Sequence, residues 1–299
     1  MSSILVRPAN PAYQSDSQGL LYDRINEQLL VCPAGVSGPI AVMDGMAVTG
    51  EAFSNCTQMT SVTLATPKTN SELEFRAFEN CERLESITIP EGYTAIGSDC
   101  FAGCTALSEV VLPTTLKEID YDAFNGCTDL TEIDLPSGLQ KIGSHAFENT
   151  GLTSISIPAS VVLGIYDIGV FMNNAHLASV TFEDGFTRIE EAMFSGCPML
   201  TSVVIPSSVV YVGESAFGKY SDNMVTEEYA EASGVQTVTI KGAPSFGDRV
   251  FFDCDSLKTV IFEGAIQELG DEMFRDCDNL ESIVIPNTVT DGGYEVFMD

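Results

Sequence analysis

The sequence predicts a right-handed solenoid of short repeated coils, with a parallel β-sheet on one face and short helical turns opposite. Three observations carry this. Phenylalanine recurs at Phe53, Phe78, Phe101, Phe124, Phe147, Phe171, Phe194, Phe217, Phe251, Phe274 and Phe297, with most steps at 23 or 24 residues. A fixed period of that size marks one supersecondary unit copied along the chain, in which no copy can bury its apolar face alone. Before each proline, apolar and polar residues alternate. After each phenylalanine, apolar residues return every third position. The handedness follows from parallel strand crossovers.

The copy from Pro113 to Pro136 shows the elements in order. Leu116 and Ile119 are spaced by three, in a second short extended piece. Phe124, Cys127 and Leu130 repeat the same step, which suits a tight helical turn aiming three side chains to one side. Ile133 and Leu135 then alternate with Glu132 and Asp134, the period-two signature of a strand with one buried face. Pro136 removes a backbone donor and ends the ladder. The copies at Cys81–Pro90, Cys104–Pro113 and Cys277–Pro286 keep this plan.

This unit resembles the BspA-like leucine-rich repeat family, whose motif reads roughly Ala-Phe-x-x-Cys-x-x-Leu-x-x-Ile-x-Ile-Pro. About ten copies in register extend the resemblance from about Gly19 to Asp299. The early stretch Gly19–Asp23 followed by Leu29–Gly35 resembles the hairpin unit that such proteins place between repeats. The expected organisation is therefore an N-terminal hairpin or capping unit over 1–45 and a solenoid over 46–299. The resemblance implies a large bacterial or protist surface protein acting in adhesion.

Composition narrows the function. The 43 acids against 13 bases give a net charge of −30. No basic stripe is present to meet phosphates, which argues against nucleic acid. Docking on anionic lipid is disfavoured for the same reason. No run of 18 apolar residues spans a membrane, and the first residues lack the apolar stretch of a signal peptide. Both ends look cut from a longer array, so a signal is expected outside this fragment and the expected location is extracellular or cell-surface. Seven of the nine cysteines, Cys56, Cys81, Cys104, Cys127, Cys197, Cys254 and Cys277, occupy one repeat position. Side chains stacked and pointing the same way suit poorly to disulfides, so free buried thiols are expected.

No catalytic pattern assembles, so the chain reads as a non-enzyme without cofactor or metal. His145 and His176 fall in different repeats and read as surface residues. The acidic pairs Glu190–Glu191 and Asp271–Glu272 precede the phenylalanine turn, where acids suit a helix start. Asp253 and Asp255, like Asp276 and Asp278, flank a cysteine without the loop pattern of a calcium site.

Binding surfaces are the remaining candidates. Two outward columns run along the strands. One includes Ser61, Ser86, Glu109, Glu132, Ser154, Ser179 and Ser202, and the other Thr63, Thr88, Asp134, Ser156, Thr181 and Val204. Exposed strand positions favour such residues anyway. The functional reading is a flat face with an acidic patch at Glu109, Glu132 and Asp134, accepting a host or neighbouring-cell protein or glycan. A step of 34 residues separates Phe217 from Phe251 and marks an insertion at 219–234. Its Tyr220, Met224 and Tyr229 suit recognition from an exposed loop. The expected protein is a monomeric binding module. The rival readings are a structural spacer carrying other domains and an ancillary carbohydrate-binding part of a larger enzyme.

Overall fold

A computed structural model describes residues 1–67, 71–164, 166–221 and 229–298. The chain divides into two compact units, Met1–Lys141 and Ile142–Asp299. Each is a stack of β-solenoid coils.

The first unit opens with an antiparallel meander of Tyr13–Ser15, Leu21–Asp23 and Gln28–Val31, and Ala47–Val48 joins its edge in parallel. One parallel ladder then runs through Gly38–Ala41, Met59–Thr63, Ser86–Thr88 and Glu109–Val111. A second runs through Ser71–Leu73, Tyr93–Ile96 and Glu118–Ile119. The second unit repeats the pattern. Ser154–Ile157 pairs with Ser179–Phe182, and Ser202–Ile205 pairs with Thr237–Ile240 and Thr259–Phe262. Arg188–Ile189, Tyr211–Val212 and Ser245–Phe246 form its second ladder. Consecutive parallel strands require a crossover, and one solenoid coil supplies it.

The core is a set of side-chain columns. From Phe53 to Phe251 every repeat phenylalanine is 0% exposed. In the first unit the rings stack with centroids 4.8 to 5.2 Å apart, and in the second 5.4 to 5.7 Å. The insertion leaves this register intact, since Phe217 and Phe251 stack at 5.5 Å. All nine cysteines are free and buried.

The expected helical turns do not form: no helix occurs among the described residues. The reason is a left-handed residue on each side of the phenylalanine. Arg76 and Asn80 flank Phe78 with φ of 52° and 56°, and Asp99 and Gly103 flank Phe101 with 54° and 72°. Such residues, four positions apart, interrupt a right-handed helix on both sides of the ring. Backbone donors then alternate in direction. The N–H groups of Arg76, Phe78 and Asn80 donate to Ser98, Cys100 and Ala102 of the next coil. Those of Ala77, Glu79 and Cys81 donate three residues back within their own coil. A spacing of three is thus real, but it reflects successive turns tied sideways to a neighbour. The helix-start reading of Glu190–Glu191 and Asp271–Glu272 falls with it. Glu190 is instead a buried partner of Arg188, and Glu272 is itself left-handed with φ 52°.

The strand expected around Ile133 and Leu135 is also not made. Residues 131–136 carry no ladder, although Ile133 is buried and Glu132 and Asp134 face outward. The alternation that suggested a strand positions side chains here without a paired backbone.

Candidate binding face

The two outward columns of the strands lie in register. Ser61, Ser86 and Glu109 are mutual ladder partners, as are Thr63, Thr88 and Val111. In the second unit Ser154 faces Ser179 and Ser156 faces Thr181. All four are exposed, while Ile155 between the serines is buried. Ser202, Thr237 and Thr259 line up in the same way. Strand pleating causes this, because successive side chains leave opposite faces. The face offers small hydroxyl and β-branched groups that can both donate and accept.

The three predicted acids do come together. A groove of 260 Å³ opens where the ladder stops after Val111, and Glu109, Glu132 and Asp134 line it with Ile133 at its floor. The missing strand pairing at 131–136 creates this space.

The insertion is less open than expected. Tyr220–Ser221 and Tyr229–Ala230 form an antiparallel hairpin stem. Tyr220 is half-buried against the cluster of Met172, Ala192 and Ala230, so it is a packing residue and not an exposed anchor. Met224 lies outside the described residues, as does the side chain of Tyr229. The returning segment is tied to the stack. Gly196 N–H donates to the Glu231 carbonyl and Gly234 N–H to that of Cys197. A Cβ at Gly234 would collide with the Pro198 carbonyl oxygen, which accounts for a glycine there.

Other sequence candidates are used structurally. His145 is half-buried, and its Nδ1 lies 3.0 Å from Glu148 Oε2, so it is not a plain surface residue. His176 is exposed as expected. Asp253 pairs with Lys219 at 2.9 Å. No group of three potential metal ligands is assembled among the described residues.

Sequence reasoning missed two features. One is an ion-pair chain in which Glu272 holds Arg249 through two hydrogen bonds and Arg275 through a third, while Arg275 also reaches Glu295. The two guanidiniums hold the Glu272 carboxyl below its ordinary range. The step of 23 residues that stacks phenylalanines also stacks Arg249 on Glu272, so the signal was present. The other is a break in the second unit's sheet between Ser179–Phe182 and Ser202–Ile205. Both segments carry full strand patterns, and nothing in them announces that they will not pair.

The model of the BspA type leucine-rich repeat region matches residues 47–168, 107–224 and 167–299 in overlapping stretches. The chain therefore belongs to that family. Solved structures with a similar course include a leucine-rich repeat protein from Bacteroides ovatus, with 18% identity, TM-score 0.47 and coverage of 96% of this chain and 90% of that one. The leucine-rich repeat protein of T. pallidum has 22% identity and TM-score 0.46, covering 87% of this chain and 91% of its own. A leucine-rich cell surface protein from Faecalibacterium prausnitzii has 19% identity and TM-score 0.44, covering 100% and 87%. No curated protein matches the chain.

Proposed function

We propose that the chain is a non-enzymatic binding module of a bacterial secreted or cell-surface protein, mediating adhesion through its outward sheet face. Family membership supports the location. The observation that carries the binding role is the register of exposed side chains within each unit, because in-line hydroxyls, joined in the first unit by an acidic groove, make a surface a macromolecule can follow. The hydroxyls recur at equivalent outward positions in successive coils, as a binding surface would have them.

The test is binding of the whole chain to immobilised matrix proteins and to arrayed glycans. Glu132→Lys reverses the charge of the acidic groove, and Ser156→Tyr places bulk on the hydroxyl columns. Shortening 219–234 is a poor variant, since Glu231 and Gly234 hold neighbouring coils. Loss of binding in either substitution with an unchanged melting curve supports the reading. If neither matters and no ligand is captured, the chain is better read as a spacer.

A further inference from the structure

We propose that the break between Ser179–Phe182 and Ser202–Ile205 is a saccharide-binding groove. This rests on the reading of the chain as a binding module and gives that module a ligand class. The two strands lie in consecutive coils, yet each pairs away from the other, with Ser154–Ile157 on one side and Thr237–Ile240 on the other. Among the described residues no backbone hydrogen bond joins them. Their facing edges therefore present main-chain donors and acceptors that solvent or a ligand must satisfy.

A second observation shows how deep the opening runs. Ile155 and Val203 point inward and are 4% and 3% exposed, and Val238 is 0%. Val180 occupies the same column and is only half-buried. The groove reaches the layer of the core. Its volume is 370 Å³, within the range of roughly 300–1,000 Å³ typical of ligand sites.

The lining selects the ligand. Ser179, Thr181 and Ser202 offer hydroxyls, Val204 and Pro206 offer apolar contact, and Asp184 and Lys241 complete the groove. Neither charged group is in an ion pair among the described residues. An anion would meet Asp184 and a cation would meet Lys241, so a simple ion is opposed by one of them. An inserted peptide strand would need its neighbours about 9.6 Å apart, twice the strand spacing. Cα atoms of the two strands come within 8 Å of each other, which is too close. Sugar hydroxyls fit because each donates and accepts. They can bridge the unpaired edges from the mouth, with Asp184 accepting and Lys241 donating, while ring C–H groups lie on Val204 and Pro206. No exposed aromatic ring lines the groove, so a monosaccharide should bind at a Kd on the order of 1 mM.

The experiment titrates isotope-labelled protein with glucose, galactose, N-acetylglucosamine and short β-linked glucose oligomers, following backbone amides by NMR. Shifts should concentrate on 179–182 and 202–205. Thr181→Tyr, which fills the groove, and Asp184→Asn should each weaken binding by about tenfold or more, as loss of a charged hydrogen bond does, with an unchanged melting curve. Absence of shifts with every sugar overturns the proposal, as do shifts indifferent to both substitutions. An extended peptide that shifts these amides, where no sugar does, would assign the groove to strand addition. Capture of a matrix protein without any sugar response sinks the groove and leaves the binding-module reading standing. Failure of both kinds of ligand removes both.

Discussion

The cysteine column shows why one residue type recurs at one position. Six of the seven thiols in the column reach the carbonyl of the phenylalanine in the preceding coil, among them Cys81 to Phe53 at 3.2 Å, Cys104 to Phe78 at 3.1 Å and Cys277 to Phe251 at 3.0 Å, while Cys56 reaches the Cys32 carbonyl. A small apolar side chain would fill the space but leave that carbonyl with one contact fewer. At one of the second unit's positions where cysteine is replaced, Asn174 does the same work, donating from Nδ2 to the Phe147 carbonyl at 2.8 Å. A compact hydrogen-bond donor that can be buried with its partner is therefore what the position favours. Burial pushes the Cys197 and Cys277 thiols up to about 12. The reactive thiolate is then scarce near neutrality. Native protein at pH 8 should react with a thiol reagent far more slowly than denatured protein, with all nine thiols titrating only after unfolding. Prompt labelling of the column in the folded state would contradict this. The neighbouring rings carry more of the stability. Phe101→Ala removes a fully buried ring stacked on both Phe78 and Phe124, and should cost about 3–5 kcal/mol in denaturant unfolding. A loss below 1 kcal/mol would mean that the column is not the core.

Within the coil, the element that replaces a helix is a turn ladder, and its registration builds the ion-pair chain around Glu272. Arg249, Glu272 and Arg275 come from adjacent coils and converge because the 23-residue step stacks Arg249 on Glu272, with Arg275 three residues further along the same coil. The Glu272 carboxyl is held down first by its hydrogen bond to Arg249. Its folded pKa lies below the unfolded value, so its contribution is fully present above the unfolded carboxylate pKa. That contribution is lost as pH falls through the folded pKa. Thermal melts of the wild type and Glu272→Gln should accordingly differ at neutral pH and converge in acid. A constant difference across that range would show that the linkage is absent. Most of the strands, though not the one expected at Ile133 and Leu135, were legible, as were the phenylalanine and cysteine columns, because each depends on the identity of single residues at fixed spacing. The turn ladder was not, because Phe124, Cys127 and Leu130 satisfy a step of three in either geometry. Only the residues two before and two after the phenylalanine distinguish them. Asn and Asp recur there, at Asn80, Asp99, Asp122 and Asn149, all with positive φ, and they favour the left-handed region. The acidic groove was legible as a cluster of Glu109, Glu132 and Asp134. The saccharide groove was not, since a failure of two good strands to pair depends on coil geometry and not on their side chains.

At the scale of the whole chain, charge is the dominant uncompensated quantity. The net charge is −30, and several of the few cations are already committed, including Arg76 to Asp99, Lys141 to Glu118 and Asp120, and Arg188 to Glu190. Stacking coils brings the remaining acids into crowded rows. Glu72 shows the result: burial first, then Glu74, Glu118 and Asp120, push its carboxyl up. A raised carboxylate works against folding while it is charged, and stability is regained as pH falls through its folded value. Glu72 and Glu272 thus respond to acid with opposite signs. Salt separates the two effects further. Exposed repulsion is screened over a Debye length of about 30 Å at 0.01 M and about 8 Å at 0.15 M, whereas the partly buried Glu272 chain is screened less. Adding sodium chloride over that range should therefore raise the melting temperature, by about 2–4 °C for each kcal/mol of repulsion relieved. Glu72→Gln should show a higher melting temperature in low salt and a smaller response to salt than the wild type. A melting temperature that falls with salt would mean that the ion pairs outweigh the repulsion. The excess acid would then have to be explained by a basic or cationic partner and not by solubility alone.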